Sequence, residues 1–181
     1  MAEIRTTKLE AARRQTDAAI RMLFGDEDAF AVHTVASAAF RILRDLAERH
    51  GNVDWHEETK LRIRGGMERR FWRALDKAAN FLKHADQDPD DTLEVEEEVN
   101  DCAIFYCCVY YKSLASAASH EMNVFLAWIS AMYPEWLLDS NPAKALVTQP
   151  EFDQWRREPR EKRLARGRQM LSMPAVDESS R

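Results

Sequence analysis

The sequence predicts an all-α fold, a bundle of five to six helices around a long central helix. Three observations carry this. The chain has 181 residues but only 5 glycines and 6 prolines, and residues 90–133 contain neither. A barrel or sandwich needs a turn signal roughly every 8–12 residues, so an all-β architecture is excluded. Between the breakers, apolar residues recur at helical spacing. Finally, 45% hydrophobic and 31% charged residues suit a globular chain long enough to bury a core without disulfides or metal.

The first helix is predicted over Thr7–Phe24, with Leu9, Thr16, Ile20 and Leu23 near one side. Gly25-Asp26-Glu27-Asp28 follows, and Asp26 or Asp28 suits the N-cap of a second helix, because a short carboxylate can accept from the first free backbone N–H groups. That helix runs to His50 and stops at Gly51-Asn52. Its apolar positions, Val32, Val35, Ala36, Ala39, Phe40, Ile42, Leu43, Leu46 and Ala47, fall within an arc of about 160° at 100° per residue. His33 sits at the edge of this face and reads as a boundary histidine bonded to a neighbouring loop.

Residues 51–66 are less regular and close at Gly65-Gly66. A third helix is predicted from Met67 to about Ala85, its buried stripe made by Met67, Phe71, Ala74, Leu75, Ala78, Phe81 and Leu82. Asp86-Gln87-Asp88-Pro89-Asp90-Asp91-Thr92 reads as a loop. The fourth helix is predicted over about 93–119, with Asp90, Asp91 or Thr92 as its cap. From Cys102 to Tyr111 it is apolar around its whole circumference, which makes it the central helix. His120–Tyr133 forms a fifth, closed by Pro134.

Further breaks stand at Asn141-Pro142 and Gln149-Pro150. Residues 151–170 carry seven Lys or Arg and four acids around Pro159, and read as a peripheral helix, a partner-binding arm or a partly disordered tail. The predicted organisation is therefore a helical bundle over 1–140 and a charged C-terminal arm or tail, partly disordered, over 141–181.

Location follows from apolar runs and cysteines. The N-terminal residues lack the apolar stretch of a secretory signal. Cys102–Tyr111, the longest apolar run, is about half the roughly 20 residues a membrane span needs. On a helix Cys102, Cys107 and Cys108 point in different directions, so they cannot share one metal and read as reduced core thiols. A cytoplasmic protein without membrane contact is predicted.

The net charge of −5 excludes a uniformly basic nucleic-acid binder, yet it averages over opposite blocks. Lys60, Arg62, Arg64, Arg69, Arg70 and Arg73 face only Glu68, whereas residues 86–101 hold nine carboxylates and no Lys or Arg. Pairing of these blocks with each other is the favoured expectation; binding of phosphate or an RNA backbone by the basic block is the other.

The third helix carries the candidate chemistry. Arg70, Arg73, Lys77, Asn80 and His84 form a polar stripe beside its buried face, with Lys77, Asn80 and His84 at i, i+3 and i+7, positioned to enter one cleft with His33. His84 suits general acid/base work near neutral pH, and Lys77 or Arg73 suits stabilisation of developing negative charge, with Asn80 orienting either. Such groups can cleave RNA without metal, because the 2′-hydroxyl supplies the nucleophile. The structural alternative ties Asn80 and His84 to the acidic loop and leaves the lysines solvated.

His-Thr-Val-Ala-Ser-Ala-Ala-Phe-Arg-Ile-Leu at 33–43, with Lys-Ala-Ala-Asn-Phe-Leu-Lys-His-Ala-Asp at 77–86, resembles an uncharacterised family of proteobacterial all-helical proteins over roughly residues 10–135. That family in turn distantly resembles the HEPN superfamily of small helical bundles. The resemblance implies a dimer and, in active members, a metal-independent ribonuclease whose motif is an arginine followed, after a short spacer, by a histidine. His84 matches the histidine; Lys77 stands in the place of the arginine, Ala78 follows it, and the polar Asn80 is displaced by two.

The loop after the third helix partly follows a calcium-binding pattern, with Asp86, Asp88, Asp90 and Glu97 at coordinating spacings. Asp91 stands where that loop needs glycine, and a capped, solvated turn is the favoured reading. No phosphate-cradling, dinucleotide, zinc-protease or nucleophile-elbow motif occurs, and no cofactor is expected. The functional expectation is a HEPN-like homodimer that cleaves RNA, or binds RNA or phosphate without cleavage. His84, Lys77, Asn80 and Arg73 would be its catalytic groups, His33 and Arg70 its ligand-binding ones. The alternative is a non-enzymatic dimer that binds a protein or small ligand between its helices.

Overall fold

The computed structural model describes residues 3–51, 67–82, 90–137 and 142–174. Among these residues it contains eight α-helices, one short 3₁₀ turn at Pro134–Trp136, and no strand. The all-α class is as predicted, while the helix count exceeds five to six. The helices are α1 (Lys8–Phe24), α2 (Ala29–Arg49), α3 (Met67–Phe81), α4 (Glu98–Leu114), α5 (His120–Met132), α6 (Pro142–Val147), α7 (Pro150–Arg156) and α8 (Arg160–Leu171).

The extra helices arise because the late prolines start helices rather than end order. Pro142 and Pro150 occupy the first positions of α6 and α7, and Pro159 immediately precedes α8. Proline is pre-set for a first turn, where its missing N–H would have had no intrahelical partner.

Helix ends follow local chemistry. Thr7 accepts from the Glu10 N–H at 3.1 Å to begin α1, and Asp28 accepts from the N–H groups of Phe30 and Ala31, each at 3.0 Å, to begin α2. Between them Asp26 adopts φ +60°, a left-handed turn that aspartate tolerates better than most residues. Past α2, Gly51 takes φ +71°, as its place at the helix end predicts.

The central helix is shorter than the predicted 93–119. At its start, Asp91 accepts from the Thr92 N–H at 2.8 Å, a local turn, so Asp90–Thr92 do not cap α4. At its end, Ala115 is extended, and the chain is recruited to begin α5 instead. Ser119 accepts from the Met122 N–H at 3.2 Å and donates to the buried Asp17 carboxylate at 2.5 Å, which Arg13 also reaches at 2.7 Å. This hydroxyl therefore caps α5 and fastens it to α1.

The core lies where α1, α2, α4 and α5 meet, and α3 packs on α2 and α4. Phe24, Val32, Ala36, Leu43, Ala103, Ile104, Cys107, Cys108, Phe125 and Trp128 are at most 1% exposed. Central placement of α4 is as predicted, with Tyr106, Tyr110 and Tyr111 also buried. All three cysteines are free thiols, Cys107 and Cys108 buried and Cys102 partly so. Burial pushes the Cys102 and Cys107 thiols up to about 12, the behaviour of inert core groups rather than nucleophiles. No described helix is long and apolar enough to cross a membrane.

Residues 150–171 pack against this core. α8 buries Leu164 and Gly167, and its arginines reach the ends of other helices. Arg168 donates to the Phe24 carbonyl at the end of α1 at 2.7 Å. Arg156, at the end of α7, donates to Ala131 O in the last turn of α5 at 2.7 Å and to Val147 O of α6 at 3.0 Å. The last carbonyls of a helix have no intrahelical donor and carry the negative end of its dipole, so a guanidinium is well matched to them.

Candidate functional site

Among the described side chains of α3, Leu75, Ala78 and Ala79 are buried, at 2%, 0% and 3% exposure. At about 100° per residue they centre on the side opposite Arg73, Lys77 and Asn80. Those three side chains are exposed, and none of the described ion pairs or hydrogen bonds engages them. The sequence pattern sets this polar stripe against the edge of the core. Burial of Ala79 turns the covered sector away from Arg73, Lys77 and Asn80, whose side chains are exposed. Asp76, one residue before Lys77, is exposed on the same side. His84 lies outside the described residues, as does the side chain of Arg70.

His33 is not brought to that row. It is 2% exposed, and its Nδ1 lies 3.0 Å from Asn100 Oδ1. Asn100 is oriented by donating through Nδ2 to the Ala29 carbonyl at 2.9 Å, which turns its Oδ1 toward the imidazole. Nδ1 is accordingly the protonated nitrogen that donates. The predicted boundary histidine is instead an interior one, joined to a helix rather than to a loop. The physical reason is the close packing of α2 on α4, which covers positions the α2 apolar arc leaves at its margin.

One helical position further along, Asp101 is fully buried. Arg160 donates to both of its oxygens, each at 2.9 Å, and the Tyr133 hydroxyl donates to Oδ2 at 3.0 Å. Burial raises the pKa of the Asp101 carboxyl above the ordinary range, against the opposing pull of Arg160. Tyr133 is likewise raised, first by burial and then by the neighbouring carboxylate. Glu97 lies 3.1 Å from Arg160 Nε, and Glu98 lies 3.9 Å from Arg163. These acids of the 86–101 stretch therefore pair with α8; of the basic block at 60–73, all side chains but that of Arg73 lie outside the described residues. α8 packs on α5 and α1, and from there Arg160 and Arg163 reach the N-terminal turn of α4.

Beside this network a cavity of about 260 Å³ opens between the α1–α2 turn and the starts of α4 and α8. Leu23, Val32 and Leu164 form its apolar wall, and Asp26, Glu97, Asn100 and Arg160 are among its polar lining. Of the calcium-like set, Asp86 and Asp88 lie outside the described residues, Asp90 is exposed, and Glu97 is paired with Arg160. Among the described residues no group of three or more His, Cys, Asp or Glu is arranged to hold a metal ion.

Asn100, Asp101, Tyr133 and Arg160 escape a motif search, yet a signal for two of them exists. Asn100 precedes Ala103 and Cys107 by three and seven residues, and Asp101 precedes Ile104 and Cys108 in the same way. Extending the buried face of α4 by one turn toward its start places both polar residues inside. Compared with known proteins, the chain matches no family model, and no curated protein or solved structure is significantly similar to it.

Proposed function

We propose that the protein binds the phosphate backbone of single-stranded RNA along the outer face of α3. The supporting observation is the exposed row of Arg73, Lys77 and Asn80, one helical turn apart and carrying two cations outside any described ion pair. Guanidinium and ammonium groups bind phosphate oxygens, and an amide adds a directional donor to sugar or base. Arg69 and Arg70 precede the row in sequence. The resemblance to HEPN proteins points to the same class of ligand. Cleavage would add His84 as the acid/base group and Lys77 as the anion stabiliser.

The test is fluorescence anisotropy with a labelled single-stranded RNA at several salt concentrations. The Arg73→Ala/Lys77→Ala double variant changes exposed side chains only, so its melting temperature should match wild type. Its affinity should fall about tenfold at low salt, and the slope of log K against log salt should become shallower by about 1.4, at roughly 0.7 per lost phosphate contact. Unchanged affinity and slope would overturn the proposal. The same RNA incubated with wild type and His84→Ala in the presence of chelator separates the two forms of the reading. Products that vanish in His84→Ala add metal-free cleavage; intact RNA with both proteins leaves binding alone.

A further inference from the structure

We draw no further inference here: the strongest candidate, the cavity of about 260 Å³ between the α1–α2 turn and the starts of α4 and α8, is an acidic cluster whose buried amide and guanidinium are already engaged by His33 and Asp101, so nothing in it points to a ligand.

Discussion

Replacing Gly167 by alanine should weaken the protein, although the same change stabilises an ordinary exposed helix position. Gly167 lies in the middle of α8 and is buried against Phe24. A Cβ at this position would lie 2.5 Å from Cδ1 and 2.6 Å from Cζ of the ring, and closer still to Cε1. Phe24 has no room to yield: it is 0% exposed and packed at 5.2 Å against Trp128 and 6.2 Å against Phe125. Helix propensity alone favours alanine by about 1 kcal/mol. Overpacking a filled core costs about 1–3 kcal/mol and sometimes more. Should α8 instead move outward, it gives up burial of Leu164, about 1.5–3 kcal/mol, and strains the Arg160–Asp101 pair. The repulsive contributions are the larger, so Gly167→Ala should lose about 1–2 kcal/mol in urea denaturation. Phe24→Leu in the same chain removes the opposing ring edge, and the double variant should be more stable than the sum of the two single losses by about 1 kcal/mol. A Gly167→Ala protein more stable than wild type, or strict additivity with Phe24→Leu, would refute the close approach of α8 to α1.

Asp101→Asn removes the buried counterion of Arg160 and leaves it only the exposed Glu97, so it should cost about 3 kcal/mol, the lower end for a broken buried pair; Asp101→Leu/Arg160→Met removes both charges and should recover most of that loss in the same urea assay. In native protein, a chromogenic disulfide reagent at pH 8 should react slowly with all three cysteines and rapidly only after denaturation, since burial holds the neutral thiol form. The sign of the linked pH effect follows. Cys102 and Cys107 keep their protons in the folded state up to about 12, whereas unfolded thiols ionise near 8.5. Their contribution is therefore whole below about pH 8.5 and is lost as pH rises toward 12, so stability should fall across that window and fall less steeply in Cys107→Ala.

What was legible in the sequence depended on whether the deciding interaction was local. The end of α2 at Gly51, the cap at Asp28 and the central position of Cys102–Tyr111 all follow from short-range rules, and each is found. The start of α4 differs from its prediction because Asp91 can satisfy either a helix cap or a turn, and here it accepts from the Thr92 N–H in a turn while the helix begins at Glu98. His33 shows the same limit. Its angle within α2 puts it at the margin of the apolar arc, while the neighbour that covers it, Asn100, is 67 residues away. The outward turn of Arg73, Lys77 and Asn80 likewise rests on burial of Ala79, a residue too small to announce a face by hydrophobicity.

Counting charge along a chain treats every arginine as available, and the two basic segments show why that fails. Residues 156–168 look as suited to an anionic partner as residues 60–73. Yet Arg156 and Arg168 bond helix-end carbonyls, Arg160 grips Asp101, and Arg166 donates to both Glu158 oxygens while lying 4.5 Å over the Trp155 ring. Moving any of these onto a phosphate would strip a donor from a buried or half-buried acceptor, which costs more than an exposed contact returns. Arg73 and Lys77 carry no such commitment among the described residues. An anionic ligand there would displace only water and salt, so Arg73 and Lys77 suit the proposed binding better than Arg156, Arg160, Arg166 and Arg168, which hold the scaffold together.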